Sequence, residues 1–231
     1  MNSRELMETH VEALFRHDTN RRLRAVNEPQ GGTVPRFFLG TTATGCVLRY
    51  RFDVPDTLCR ALDTTAGSPP SLTAVWDEPV DPAPFRARLE ADAPVQRVWA
   101  GPAFVFPAHL PASHRTQRIT PDQVQLLRPC FEGWIAEVVA GRPLCATVIG
   151  DAAVAVCCSV RLTAFAHEAG VETAEAFRGR GLAAAAVAEW ARDIRARELV
   201  PLYSTSWENS ASRAVARKLN LMQFGSDLHI T

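Results

Sequence analysis

Four residues in the C-terminal half of the chain, Arg178-Gly179-Arg180-Gly181, combine the residue types that bind a phosphate group. The two glycines can adopt positive φ and let a ligand approach the backbone closely. The next stretch, Leu182–Arg197, lacks Gly and Pro and is rich in alanine, which predicts a helix. The first N–H groups of a helix have no intrahelical partner and carry the positive end of its dipole. The turn therefore predicts a phosphate or pyrophosphate site, to which both arginines add charge.

The same turn has other interpretations. An ordinary strand-to-helix connection in an α/β domain is the simplest of them. A dinucleotide-binding fingerprint fits less well, because it needs Gly-x-Gly-x-x-Gly early in a βαβ unit and an acidic residue about 20 positions later. A P-loop is excluded, since the sequence contains no Gly-Lys-Ser/Thr and its only lysine is Lys218.

The elements that must position this turn follow from hydrophobic periodicity and from turn residues. From residue 120 onward, the pattern predicts two helices, three strands, a helix, a strand, a helix and a last strand. In chain order these are 121–128, 130–140, Leu144–Ile149, Ala152–Leu162, Phe165–Thr173, 181–197, Val200–Ser204, Asn209–Leu219 and Met222–Ile230. Upstream, the pattern predicts a helix over 4–27 and several strands, one of them at Leu72–Trp76.

Two motifs in this C-terminal part resemble those of the GNAT acetyltransferase superfamily. Arg178-x-x-Gly181-x-Ala183 resembles its acyl-coenzyme A signature, Gln/Arg-x-x-Gly-x-Gly/Ala. The stretch from Asn209 to Leu221 resembles its second motif, Asn-x-x-Ala/Ser-x-x-x-Tyr-x-x-x-Gly-Phe. The resemblance implies an α/β fold with a mixed sheet: a GNAT-like acyl-CoA N-acyltransferase core at 111–231, after an N-terminal mixed α/β region at 1–110.

The resemblance also implies acetyl-coenzyme A as cofactor. The sheet would splay between the strand ending near Thr173 and the strand at 200–204, with the cofactor in the gap. The cofactor-binding residues implied are Val171, Thr173, Arg178, Gly179, Arg180, Gly181, Leu182, Ala183, Asn209 and Ser212.

The second motif departs from the family pattern at two positions. Ala216 stands where the family has a Tyr that often protonates the departing thiolate, and Asn220 stands where it has Gly. Asn is a tolerable replacement, because it also visits the left-handed region. Alanine carries no transferable proton, so another hydroxyl must serve or the thiolate leaves unassisted. Tyr203 is the candidate acid, although a tyrosine on a strand is more often a packing residue.

A general base must take the proton of an amine that attacks a thioester. In the family this base often lies about eleven residues before the phosphate turn, which corresponds to His167 and its neighbour Glu168. Successive strand side chains point to opposite faces, so only one of the two can face the gap. Glu172 and Glu208 are weaker alternatives, and all of these residues could instead be ordinary solvated side chains.

Composition limits the class of protein. Apolar residues make up 47% and charged residues 22%, with a net charge of zero, as in a soluble globular protein. Neither half of the chain is basic enough to indicate nucleic-acid binding. The sequence has no run of 18 apolar residues that would indicate a membrane span, and its polar N-terminus does not resemble a signal peptide. The cysteine spacing shows no metal pattern, and we expect free thiols in a cytoplasmic protein.

We therefore expect an enzyme that moves an acetyl group from acetyl-coenzyme A directly to a primary amine. The acceptor would be a small molecule or a peptide, and the protein a monomer or homodimer. Residues 1–110 would help to form the acceptor site. The alternative is a coenzyme A-binding regulatory or interaction module that has lost catalysis, which Ala216 favours.

Overall fold

Packing divides the helices and strands of this chain between two compact units. The computed structural model describes residues 1–67 and 77–231. The first unit contains residues 1–104, 204–210 and 223–231, and the second contains 105–203 and 211–222. The sequence pattern does not indicate that two C-terminal segments join the first unit. The division at residues 110–111 therefore stays a prediction, as does the strand expected at Leu72–Trp76, which lies outside the described residues.

The elements follow one another in an order that mixes helices and strands. Those of the N-terminal half are α1 (Ser3–Leu14), β1 (Phe15–His17), β2 (Leu23–Val26), β3 (Phe37–Thr42), β4 (Gly45–Tyr50), α2 (Asp56–Ala66), α3 (Ala83–Glu90) and β5 (Val98–Val105). Those of the C-terminal half are β6 (Thr116–Arg118), α4 (Arg128–Phe131), α5 (Ile135–Val139), β7 (Leu144–Ile149), β8 (Ala152–Leu162), β9 (Ala166–Thr173), α6 (Leu182–Ala196), β10 (Val200–Ser204), α7 (Ser210–Lys218) and β11 (Met222–Ile230).

The N-terminal helix is shorter than the sequence predicts. Asn2 caps α1, since its side chain accepts the N–H of Glu5 and its own N–H donates to the Glu5 carboxylate, each at 2.9 Å. The prediction of a helix over 4–27 is wrong beyond Leu14. The Asp18 carboxylate accepts the backbone N–H groups of Asn20 and Arg22 at 2.9 and 3.0 Å, and this turn pairs β1 with β2 instead. Local side-chain bonds to the backbone compete with a helix in this way.

The first unit contains strands in the order β4-β3-β11-β5, with β3 antiparallel to both of its neighbours. Phe37, Leu39, Leu228 and Ile230 of β3 and β11 pack with apolar residues of α2 and α3. Asp227 is buried in this unit, and its Oδ2 lies 3.3 Å from Nε2 of His10 and 2.8 Å from Nε2 of His229. Burial alone would raise the pKa of Asp227, but the hydrogen bonds from His10 and His229 outweigh it and lower the pKa to about 2.

The second unit contains strands in the order β10-β9-β8-β7-β6. Its pairs are antiparallel except β10 and β9, which are parallel, so the sheet is mixed, as predicted. The bounds predicted for β7, β8, β10 and β11 are the observed ones. The helix predicted over 121–128 is instead a 3-10 helix at Pro121–Leu126 followed by α4, and the one over 130–140 is broken into short helical segments. Pro129 lies at the first turn of α4, where its missing N–H would have no intrahelical partner, so it suits the start of a new helix.

The parallel pair in this unit separates after a short contact. The register joins Val200 to Ala166, Pro201 to His167 and Leu202 to Glu168. Among the described residues of the second unit, β9 continues to Thr173 with only β8 beside it. The predicted splay between the strand ending near Thr173 and the strand at 200–204 is therefore observed. It leaves one edge of β9 unpaired within the unit.

None of the helices in the described parts of the chain is long and apolar enough to cross a membrane.

The buried carboxylate predicts how acid destabilises the protein. Since the folded pKa of Asp227 is about 2 and its ordinary value is 3.8, its contribution to stability is complete above pH 4 and is lost as the pH falls towards 2. Asp227→Asn should lower the free energy of unfolding at pH 7 by about 3–5 kcal/mol, because it breaks a buried hydrogen-bonded pair. Urea unfolding measures this, with the exposed Asp151→Asn as control. Equal stability of the two variants would contradict the prediction.

Candidate active site

The phosphate turn is held in a left-handed conformation at the start of α6. Gly179 has φ of 74° and Gly181, the residue that caps the helix, has φ of 73°. Residues other than glycine rarely adopt such angles. The Thr147 hydroxyl donates to the Leu182 carbonyl at 2.9 Å and so ties the first turn of α6 to β7. The sequence signal and the observed geometry therefore agree in this turn.

Lys218, which the sequence reasoning does not assign to the site, lies against this turn. A Cβ added to Gly181 would stand 1.9 Å from Lys218 Nζ and 3.1 Å from its Cε. A Cβ added to Gly179 would meet nothing within 4 Å. The missing side chain of Gly181 thus makes room for the ammonium group. The only signal in the sequence is that this is the sole lysine of the chain.

The two arginines of the turn are exposed beside it. The Arg178 side chain donates from Nε to the Thr173 carbonyl at 3.4 Å. The Arg180 guanidinium lies 5.2 Å from the centre of the Phe177 ring. Both positive charges remain near the turn, where an anion could meet them.

The backbone of β9 presents hydrogen-bonding groups to its unpaired edge. In antiparallel pairs, alternate residues direct their N–H and C=O groups towards the partner strand. Ala174 donates its N–H to Val154 of β8 at 3.0 Å, so residues of that parity face β8. Val171 and Thr173 have the opposite parity and direct their backbone groups away from β8. An extended ligand arm could hydrogen-bond to them as an added strand does.

The splay begins beside the two candidate bases. Glu168 is the last β9 residue with a β10 partner, and it is buried. The β8 strand bulges there, because Ser159 pairs with Ala169 and Arg161 with Glu168, which leaves Val160 as the extra residue. Bulges often re-aim side chains next to functional sites. Thr173 lies five residue steps beyond Glu168 along β9, about 17 Å, so Glu168 and the phosphate turn lie at opposite ends of the open edge.

His167 lies in a buried hydrogen-bond chain on the other face of β9. Trp190 of α6 donates to Ser159 Oγ at 3.0 Å, and that oxygen lies 2.9 Å from His167 Nδ1. The Ser159 hydroxyl is then free to donate to a neutral imidazole. Burial, together with the positive charges of Arg197 and Arg142, lowers the pKa of His167 to about 4. The imidazole is neutral at pH 7 and is already engaged beneath α6.

Tyr203 and Ser212 come together across β10 and α7. The two hydroxyl oxygens lie 2.6 Å apart, and the phenol also lies 3.3 Å from the Ser212 carbonyl. Burial raises the pKa of Tyr203 to about 12, although the Ser212 hydrogen bond opposes this and nearby Glu168 adds to it. Ala216 follows Ser212 by one helical turn and is buried. The phenol therefore reaches α7 one turn before the position where the family motif carries its own Tyr.

The ends of α7 also match the motif. Asn209 directly precedes the helix and packs with the first unit, where its N–H donates to Ser206 at 3.1 Å. Asn220 has φ of 51°, and Leu221 donates to the Ala216 carbonyl at 2.9 Å, which completes a left-handed C-cap. Asparagine thus replaces the glycine of the motif without loss of the cap.

Of the weaker base candidates, Glu172 lies on the exposed part of β9 and accepts the Trp134 indole N–H at 2.7 Å. Glu208 is exposed in the segment before α7. Within the described parts of the chain, no cluster of three or more His, Cys, Asp or Glu residues could hold a metal ion. All six cysteines are free thiols.

Residues 145–223 match the family model named GNAT acetyltransferase. Solved structures with similarity include a putative GNAT acetyltransferase from Novosphingobium aromaticivorans, at 18% identity and a TM-score of 0.46, covering 59% of this chain and 65% of that one. A GCN5-related N-acetyltransferase-like protein from Streptococcus suis has 16% identity and a TM-score of 0.45, covering 64% and 68%. A GNAT-family acetyltransferase from Colwellia psychrerythraea has 14% identity and a TM-score of 0.49, covering 92% and 82%. This chain thus spans just under two thirds of the Novosphingobium structure. None of the curated proteins matches the sequence.

The buried chain at Ser159 predicts the titration of His167. Its imidazole should stay neutral from pH 8 down to about pH 5 and gain a proton only near pH 4, because burial disfavours the charged form. Two-dimensional NMR of the imidazole nitrogens measures this, with the exposed His109 as a reference in the same spectra. A midpoint near the ordinary value of about 6.5 would contradict the prediction.

Proposed function

We propose that this chain is an acyl-coenzyme A-dependent N-acyltransferase, because its residues 145–223 match the GNAT acetyltransferase family model. The acyl group is acetyl, and the acceptor is a primary amine of a small molecule or peptide. The observation that carries the proposal is the parallel pair of β9 and β10, closed at Glu168 and open towards Thr173, with the phosphate turn at the open end.

The residues of the second unit fit the cofactor. The left-handed turn at Gly179 and Gly181 leaves backbone room for the pyrophosphate, and the start of α6 supplies N–H donors. The backbone groups of Val171 and Thr173 that point away from β8 would hold the pantetheine arm. Leu182, Ala183 and Ser212 would complete the binding residues of this unit, and the family motifs also imply Asn209. The bound cofactor supplies an activated thioester.

We assign the general base to Glu168. Its burial at the apex of the splay, and its charge interaction with Tyr203, support a position near the reacting atoms. His167 is the less favoured candidate, because its Nδ1 is engaged with Ser159 and its low pKa makes it a weak base at neutral pH. Glu168 would accept the proton of the acceptor amine, directly or through a water molecule.

Tyr203 is our proposed donor to the leaving thiolate, with Ser212 as its relay. A phenol with a pKa of about 12 remains protonated at neutral pH. A free thiol has a pKa of about 8.5, so full transfer of the phenolic proton is unfavourable. The phenol therefore stabilises the thiolate mainly as a hydrogen-bond donor, which a buried site strengthens.

The acceptor side of the reaction belongs to residues outside the cofactor motifs. We propose that the N-terminal region at 1–110 helps to bind the amine, and that the protein works as a monomer or homodimer. The balanced charge gives no support for nucleic acid as a partner. The free cysteines suit the reducing cytoplasm, where we place the reaction.

Ala216 favours one alternative, a coenzyme A-binding regulatory module without catalysis. Such a module would keep the phosphate turn and bind the cofactor, but it would not transfer the acyl group. The acyltransferase and the regulatory module would both bind coenzyme A, so only a transfer assay against a panel of amines distinguishes them. Acetylation of any amine by the wild-type protein, lost in the Glu168 variant below, would exclude the module.

The phosphate turn predicts a difference between its two glycines. Gly181→Ala and Gly179→Ala each force a non-glycine residue to positive φ and should each cost about 1–2 kcal/mol of stability. Only the Gly181 variant places a methyl group against Lys218 Nζ. Its affinity for acetyl-coenzyme A should therefore fall by more than that of the Gly179 variant. Isothermal titration calorimetry measures both affinities. Equal affinities in the two folded variants would contradict the predicted difference between the glycines.

The base assignment predicts that Glu168→Gln lowers kcat by roughly 10²–10⁴-fold, the usual share of a general base. Cofactor affinity should change little, because Glu168 lies about 17 Å from the end of β9. The control is His167→Gln, which keeps a hydrogen-bonding group beneath α6 and should retain most of the activity. Loss of activity in His167→Gln, with Glu168→Gln still active, would make His167 the base instead. Full activity of Glu168→Gln would sink the assignment.

The hydroxyl pair predicts a smaller effect for Tyr203→Phe. Loss of one hydrogen bond to a developing charge costs about 1.5–3 kcal/mol, which corresponds to roughly 10- to 100-fold in turnover. The loss should be largest for thioesters with poor leaving groups, since these depend most on stabilisation of the thiolate. A uniform rate loss across acyl donors of different thiol pKa would point to packing instead.

A further inference from the structure

We propose that Lys218 binds the cofactor's pyrophosphate, in the space that Gly181 leaves by having no side chain. This inference rests on the proposed function, because the pyrophosphate is that of acyl-coenzyme A. Neither family motif assigns a role to this position.

The geometry places a cation where the turn already favours an anion. Lys218 Nζ stands 1.9 Å from the place that a Cβ of Gly181 would occupy. Gly181 caps α6, whose first N–H groups have no intrahelical partner. The ammonium group and the positive end of the helix dipole therefore meet at one point.

Nothing in the described part of the protein neutralises this charge. Among residues 1–67 and 77–231, Lys218 takes part in none of the ion pairs and side-chain hydrogen bonds, whereas most arginines in the same residues have acidic or carbonyl partners. Two sources of positive potential side by side repel each other unless an anion lies between them. A phosphate oxygen would satisfy both the ammonium group and the N–H groups.

The identity of the residue suits a close approach to the turn. Lysine presents a compact point charge at the end of a thin stem, whereas arginine presents a planar fork that needs more room. The chain uses arginine at 24 of its 25 basic positions, so the lysine at this one stands out. We therefore expect Lys218→Arg to restore only part of the affinity that Lys218→Met loses.

Calorimetry on the full-length protein tests the proposal with two ligands. Coenzyme A and 3′-dephospho-coenzyme A share the pyrophosphate, but only the first carries the ribose phosphate. Lys218→Met should weaken both ligands by roughly tenfold, the effect of one partly exposed charge-assisted hydrogen bond. The matched control, Arg217→Met, removes the same charge from the neighbouring exposed position and should leave both affinities unchanged.

A second measurement needs no variant. Because Lys218 is the only lysine, reductive methylation with ¹³C-formaldehyde labels its amine and the N-terminal amine alone. The Lys218 methyl resonance should shift when either ligand is added, and the N-terminal one should not. This keeps the proposal testable if Lys218→Met fails to fold.

These outcomes distinguish a failure of the proposed Lys218 role from a failure of the proposed function. If the wild-type protein binds neither ligand, both the proposed function and the role of Lys218 fall. If it binds both and Lys218→Met binds them equally well, only the role of Lys218 falls. If the loss appears with coenzyme A but not with the dephospho form, Lys218 contacts the ribose phosphate, and the pyrophosphate assignment is overturned.

Discussion

Two parallel strands that hydrogen-bond at one end only are the constraint on which the site depends. Pairing stops after Leu202 and Glu168, and β9 runs on to Thr173 without β10. An unpaired strand edge carries backbone groups that need partners, and a ligand can supply them. The same divergence leaves Glu168 and Tyr203 at the closed end and the phosphate turn at the open end. An extended ligand that binds along this edge would therefore reach from Glu168 to Thr173.

The bulge in β8 and the helices packed on β9 place different hydrogen-bond partners on the two faces of β9. Trp190 and Ser159 engage His167 on the α6 face, and burial keeps its imidazole neutral. Glu172 on the other face bonds to Trp134. Adjacent residues in the sequence therefore meet separate surroundings, and this difference is our reason for proposing Glu168 rather than His167 as the base.

At Ala216 the chain departs from the family motif, and we propose that a hydroxyl from another element takes the place of the missing one. In the family motif a helical tyrosine supplies the hydroxyl, and here the helix has only a buried alanine. A strand tyrosine, Tyr203, reaches the same helix one turn earlier and meets Ser212. Its high pKa suits a hydrogen-bond donor more than a proton donor. Helix α7 also carries Lys218 to Gly181, so one short helix reaches both ends of the site.

The sequence by itself determined the C-terminal fold class, the bounds of β7, β8, β10 and β11, and the glycine turn before α6. These signals are local: alternation of apolar residues, a glycine where φ must be positive, and an alanine-rich helix after it. Sequence did not indicate the hairpin after α1, because the bonds of Asp18 to nearby N–H groups overrode an apparent helical stripe. Only the tertiary structure decided that His167 is sealed beneath Trp190, that Tyr203 meets Ser212 and that Lys218 lies at Gly181. Each of these contacts joins residues from different elements, and no spacing along the chain encodes the distance between them.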